Sequence, residues 1–147
     1  NYRELRVELE ARGVTFRTQS DTEVILQLHA LYGNAGVLRL NGIFAYALWD
    51  RDRRRLLLTR DRAGIKPLYY AATPRGIAFG SEIKALFESG LIEPRMDERH
   101  VAEYLIFRQV AGPENLFAGV LALPPGHTLA VSEADSLELE YRRSSLP

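Results

Sequence analysis

The 147-residue sequence predicts an α+β fold, and three features carry that reading. Strand-forming segments are concentrated in one run between residues 41 and 80, helical patterning brackets that run on both sides, and a last hairpin closes the chain. Strands gathered together rather than alternating with helices argue for antiparallel sheets layered with helices, not for βαβ units.

The elements follow in order. Leu5 and Leu9 sit four apart among charged residues and Gly13 follows as a left-handed stop, so 2–12 reads as a surface helix. A short strand over 14–18 is expected next. Ser20-Asp21-Thr22-Glu23 is a capping box, with Ser20 accepting from the third helical amide and Glu23 reaching back. It opens a helix over 21–32 that turns Val24, Leu28 and Leu31 inward and ends at Gly33. The nearly continuous apolar run 41–49 suits a central strand covered on both faces. The charged turn 50–54 returns it to 55–60, and two further strands, 68–72 and 77–80, flank the turn Thr73-Pro74-Arg75-Gly76. Read consecutively, the four strands make an antiparallel meander. Helices are expected over 81–88, ended by Gly90, and from the N-cap Asp97 to 107. Strands 128–131 and 137–141 form a last hairpin across 132–136.

Composition limits the function. Lys plus Arg equals Asp plus Glu at 19 each, which lacks the basic footprint of a nucleic-acid binder. No apolar stretch approaches the roughly 20 residues that span a bilayer, so no membrane partner and a cytoplasmic location are expected. There are no cysteines, which excludes a disulfide scaffold, a thiolate metal site and a cysteine nucleophile within these residues. The sequence opens on Asn1, without an initiator Met, as though cut from something longer.

No phosphate loop, dinucleotide fingerprint, zinc-helix motif or nucleophile elbow is present. His29, His100 and His127 lie on separate predicted elements, and no metal site is expected. The densest constellation is Arg60-Asp61-Arg62-Ala63-Gly64-Ile65-Lys66-Pro67-Leu68-Tyr69-Tyr70. Its alternating Arg and Asp can lock one another bidentately, Gly64 allows positive φ and Pro67 stiffens the exit. The segment is either a salt-bridged turn or a preorganised wall for a ligand or partner domain. Arg60, Asp61, Gly64 and Lys66 are its candidates. Asp21 and Glu82 each stand beside a Ser at a helix start. There a carboxylate either complements the helix dipole or faces a ligand cation.

Taken together, several blocks point further. Asn1-Tyr2-Arg3-Glu4-Leu5, Ser20-Asp21-Thr22-Glu23-Val24, Leu40-Asn41-Gly42-Ile43-Phe44-Ala45-Tyr46-Ala47-Leu48-Trp49-Asp50, the 60–70 block, Gly80-Ser81-Glu82-Ile83-Lys84-Ala85-Leu86 and Leu123-Pro124-Pro125-Gly126-His127 stand in one order and spacing. In that order they resemble the glutaminase domain, a class II glutamine amidotransferase, of glutamine-hydrolysing asparagine synthetase. The resemblance covers essentially the whole chain and implies an N-terminal-nucleophile hydrolase fold, a four-layer αββα sandwich of antiparallel sheets. It also implies the chemistry. An N-terminal Cys attacks the side-chain amide of glutamine with its own α-amine as base, ammonia leaves, and water releases glutamate from the thioester. By the same resemblance Asp21 is the carboxylate that binds the α-ammonium group of glutamine.

The departures have equal weight. Asn1-Tyr2 resembles the end of an Asn-Gly-Glu-Ile-Tyr-Asn segment, which places the oxyanion-hole Asn and Gly, the Cys and a carboxylate-binding Arg before residue 1. On this reading no catalytic residue lies in the chain, the fold is incomplete at its N-terminus, and residues 1–147 alone are inactive and prone to aggregate. Residues 1–140 are the partial domain, and 141–147 begin a linker to an absent synthetase domain that uses ATP and Mg²⁺ to activate aspartate. No cofactor belongs to the glutaminase domain itself. Expected partners are glutamine, that C-terminal synthetase domain and, for the full enzyme, a second copy in a homodimer. The 60–70 block, the rigid Leu123–His127 turn and Glu82 are assigned to the substrate pocket or the domain interface. The competing readings are a non-catalytic scaffold of the same fold, as in β-lactam-synthetase-like relatives, and a freestanding binding module.

Overall fold

The computed structural model describes residues 1–132 and the backbone of 137–141. Two compact units are present, the first spanning Asn1–Gly42 and the second beginning at Ile43.

The first unit is helical. α1 (Tyr2–Ala11) buries Leu5 and Leu9, the pair spaced four apart, and Gly13 follows at φ +87° with its amide bonded to the Glu10 carbonyl. The strand expected over 14–18 does not form. Those residues have no strand partner, and the amides of Arg17 and Thr18 are taken by the Glu23 carboxylate. α2 (Asp21–Tyr32) buries Val24 and Leu28, while Leu31, expected inward, is 51% exposed. Gly33 turns the chain into a 3₁₀ helix, Gly33–Arg39, which the sequence pattern did not reveal. Gly36 packs so tightly there that a Cβ would lie 2.7 Å from the Leu28 carbonyl oxygen, so the Leu28 turn is covered and the Leu31 turn is not. Arg39 binds Glu8 at 2.5 and 2.6 Å, its guanidinium lying 4.9 Å from the Tyr32 ring centroid. The Asn1 side chain accepts from Asn41 N and donates to the Arg39 carbonyl.

The second unit holds two antiparallel sheets. β1 (Ala45–Asp50), β2 (Arg55–Arg60), β6 (His127–Ser132) and β7 (Leu137–Tyr141) form one in the order β1-β2-β6-β7. β3 (Tyr69–Thr73), β4 (Gly76–Gly80) and β5 (Leu121–Ala122) form the other in the order β4-β3-β5. The four-strand meander is therefore corrected: after the β1–β2 hairpin the chain leaves the first sheet, and β3–β4 starts the second. β1 is also not central among the described strands; it begins at Ala45 and is an edge of its sheet, with Trp49 51% exposed. The last hairpin is present, though 133–136 of its loop and the proposed linker residues 142–147 lie outside the described residues.

Core packing follows from side-chain size. Leu58 and Leu129 of the first sheet meet Tyr70 of the second, with Leu68 and Leu123 completing the cluster. On the second sheet Ala71 and Ala78 are register partners, and their small side chains leave room for Leu86 of α3 (Ile83–Glu88), which is fully buried. Burying one such leucine contributes about 1.5–3 kcal/mol. The second unit is thus layered helix, sheet, sheet. α3 starts two residues later than the sequence predicts. The helix expected from Asp97 is a 3₁₀ turn, Glu98–His100, followed by α4 (Val101–Phe107). No helix among the described residues is long and apolar enough to cross a membrane.

Candidate functional site

In the 60–70 block the Arg60 and Asp61 side chains bind backbone groups. Arg60 ends β2, and its guanidinium donates from Nε to the Lys66 carbonyl at 2.8 Å, from Nη1 to Leu123 at 2.6 Å and from Nη2 to Gly64 at 2.7 Å. Asp61, 1% exposed, accepts through Oδ1 from the amides of Ala63 and Ile65 at 3.0 and 3.2 Å, and through Oδ2 from Lys66 at 3.1 Å. The expected Arg60–Asp61 pairing is corrected: the cation serves carbonyls and the anion serves amides, because a tight loop presents both kinds of unpaired group. Burial pushes the Asp61 carboxyl up, but the hydrogen bonds from Lys66, Ile65 and their neighbours outweigh it and hold the group below its ordinary value.

The second motif docks on this loop. The Asp61 carbonyl accepts from Gly126 N at 2.8 Å, Leu123 N donates to the Leu68 carbonyl at 2.8 Å, and Gly64, at φ +64°, lies against Pro125. His127 Nδ1 donates to the Pro125 carbonyl at 2.9 Å. Two motifs about sixty residues apart are thereby one object, with Ile65 and Lys66 at its exposed surface. Glu82 makes none of these contacts. It is the N-cap residue of α3, exposed, and its side chain caps nothing.

In the first unit, Asp21 is the first residue of α2 and is exposed. Its Oδ1 accepts from Thr22 N at 2.8 Å, and the same amide donates to Ser20 Oγ at 3.1 Å. The capping box is half as expected. Ser20 caps the second helical amide, not the third, and Glu23 binds the preceding loop instead of Ser20 N: Arg17 N at 2.8 Å, Thr18 N at 2.7 Å and Thr18 Oγ1 at 2.5 Å. The Thr18 hydroxyl and the Arg17 amide hold the Glu23 carboxyl below its ordinary value. Thr18 is the participant that sequence reasoning missed; its only signal is a hydroxyl two residues before a helix cap.

His100 faces Glu103 at 3.6 Å and His127 serves the Pro125 turn, so the structure keeps these two histidines on separate tasks. Among the described residues no group of three or more His, Cys, Asp or Glu could hold a metal ion.

The sequence profile of the glutamine amidotransferase domain matches residues 1–142. The chain belongs to that family. This amidotransferase domain is 39% identical to asparagine synthetase [glutamine-hydrolyzing] 3 of Bacillus subtilis over 134 residues, 90% of this chain and 22% of that protein. It is also 39% identical to a putative asparagine synthetase [glutamine-hydrolyzing] of Mycobacterium tuberculosis over 153 aligned positions, all of this chain and 23% of that protein. The chain thus spans about a fifth of the length of the curated relatives it matches. Among solved structures, the glutamine phosphoribosylpyrophosphate amidotransferase of B. subtilis, complexed with ADP and GMP, superposes with a TM-score of 0.65 at 20% identity. That match covers 96% of this chain and 26% of the other. A structure titled as the allosteric regulatory enzyme of purine biosynthesis gives 0.68 at 19%, again covering 96% and 26%. These likenesses establish the fold: the amidotransferase domain has the N-terminal-nucleophile architecture of antiparallel sheets and helices expected from its sequence.

Proposed function

We propose that this amidotransferase domain hydrolyses glutamine within an asparagine synthetase, and that Asp21 binds the α-ammonium group of the substrate. What supports the reading is the 39% identity to named glutamine-hydrolysing asparagine synthetases over nearly the whole chain, with Ser20-Asp21-Thr22-Glu23 in place at the start of α2. A charge-assisted hydrogen bond from an ammonium group to a carboxylate contributes about 1.5–3 kcal/mol. In this proposal the thiolate that attacks the glutamine amide lies outside residues 1–147, which contain no cysteine. Residues 1–140 form the domain. A C-terminal synthetase domain of the same polypeptide receives the ammonia. ATP and Mg²⁺ are assigned to that domain. The full enzyme is placed in the cytoplasm as a homodimer.

The 60–70 loop with the Leu123–His127 turn forms a wall of the pocket or the face toward the synthetase domain. Arg60 and Asp61 are turned into the backbone of the loop and of Leu123, so they act by holding its shape; Gly64 acts by admitting Pro125, and Lys66 belongs to the surface presented. Glu82, exposed and without a capping bond, is proposed for the same interface.

The test uses the full-length protein with glutamine or ammonia as nitrogen donor. Asp21→Asn is expected to raise KM for glutamine roughly 10–150-fold, the equivalent of the interaction lost, and to spare ammonia-dependent synthesis. Equal loss of both activities contradicts the assignment.

A further inference from the structure

We propose that Glu23 and Thr18 are positioning residues that aim the Asp21 carboxylate at its ligand. The inference rests on the role given to Asp21 above and extends it to two side chains outside the binding contact itself.

Asp21 occupies the first position of α2 and is exposed, so packing alone does not fix its carboxylate. What fixes it is a relay that starts two residues later. The Thr18 hydroxyl has one proton and donates it to Glu23 Oε2 at 2.5 Å, the short distance of a hydroxyl bound to a carboxylate. With that proton committed, its lone pairs face the Ser20 amide, which donates to Thr18 Oγ1 at 3.2 Å. Ser20 is thereby held where its Oγ accepts from Thr22 N, and the same amide holds Asp21 Oδ1. The Asp21 hydrogen bonds all use Oδ1, leaving Oδ2 for a cation.

The rest of the loop is braced to the same end. Glu23 also accepts from the Arg17 and Thr18 amides, and the Thr18 carbonyl accepts from Arg6 Nη1 of α1 at 2.7 Å, with the Arg6 guanidinium 4.3 Å from the Phe16 ring centroid. A Glu serving only as a helix cap would take the Ser20 amide directly. Here that amide goes to Thr18, and Glu23 immobilises the segment that delivers Ser20 and Asp21.

The experiment measures glutamine-dependent and ammonia-dependent synthesis by the full-length protein, with Asp21→Asn as the reference. Thr18→Val keeps the shape and removes the relay; Glu23→Gln keeps the shape and replaces one acceptor oxygen by a donor. Each is expected to raise KM for glutamine about tenfold, the scale of one hydrogen bond, with kcat, ammonia-dependent activity and Tm near wild type. Thr18→Ser, which restores the hydroxyl, is expected to return KM to wild type. If Asp21→Asn raises KM while Thr18→Val and Glu23→Gln leave it unchanged, or depress both activities equally, the positioning role is wrong and the Asp21 assignment survives. If Asp21→Asn itself leaves KM unchanged, the underlying assignment falls and the positioning role falls with it.

Discussion

A Cβ placed on Gly64 would stand 2.6 Å from Cγ of Pro125, closer than real carbon atoms approach. This contact joins the loop after β2 to the turn before β6, and it falls where the backbone is at φ +64°. Gly64→Ala therefore carries two penalties, the left-handed conformation and the clash, expected to total about 2–4 kcal/mol. Gly90 is a control at φ +68° with nothing within 4 Å of its Cβ position, so Gly90→Ala carries only the conformational cost of about 1–2 kcal/mol. Urea denaturation of the full-length variants compares the two; equal losses would show that the Pro125 contact yields freely.

Arg60 reaches three carbonyls with one planar fork, at 2.6 to 2.8 Å. A lysine ammonium is a single point and cannot meet all three. Arg60→Lys is expected to cost about 1–3 kcal/mol in the same assay, although charge is conserved. An unchanged denaturation midpoint would mean that the fork geometry contributes nothing.

Asp61 gives the loop a pH dependence. Its folded-state pKa lies below the unfolded value, so its contribution is fully present above about pH 4 and is lost as pH falls through the folded value. In Asp61→Asn one acceptor becomes an NH₂ group facing a backbone amide, at a cost of about 1–3 kcal/mol near neutrality. The stability gap between wild type and Asp61→Asn is expected to be constant above that pH and to narrow on acidification. A gap that widens in acid would mean the carboxylate is bound less tightly than its three amide contacts indicate.

How much of this was legible depends on the range of the forces involved. Helix Asp21–Tyr32 matches its prediction at both ends because an N-cap serine and a terminal glycine are local signals. The identity of Glu23's partners is not local. Whether a carboxylate turns back to Ser20 or out to Arg17 and Thr18 depends on where α1 brings the intervening loop. Alternating charges in 60–62 suggest ion pairs in sequence, yet for Arg60 and Asp61 backbone groups released by the turn take the side chains instead. The partition of the strands between two sheets could not be read from periodicity. β5 is two residues long, and β2 takes β6, nearly seventy residues downstream, as its second neighbour. Asp21 is proposed from the resemblance of its Ser-Asp-Thr-Glu motif; the bonds of Thr18 needed coordinates, because a threonine in a polar loop has no distinguishing pattern.

The most direct test of the central claim follows the nitrogen. Full-length protein is given glutamine labelled with ¹⁵N at the side-chain amide, together with aspartate, ATP and Mg²⁺, and the products are read by mass spectrometry. Glutamate and asparagine are expected in equal amounts, with the label in the asparagine side-chain amide. If free ammonia supports asparagine formation while labelled glutamine is neither consumed nor a source of label, the domain is a scaffold and the account is contradicted.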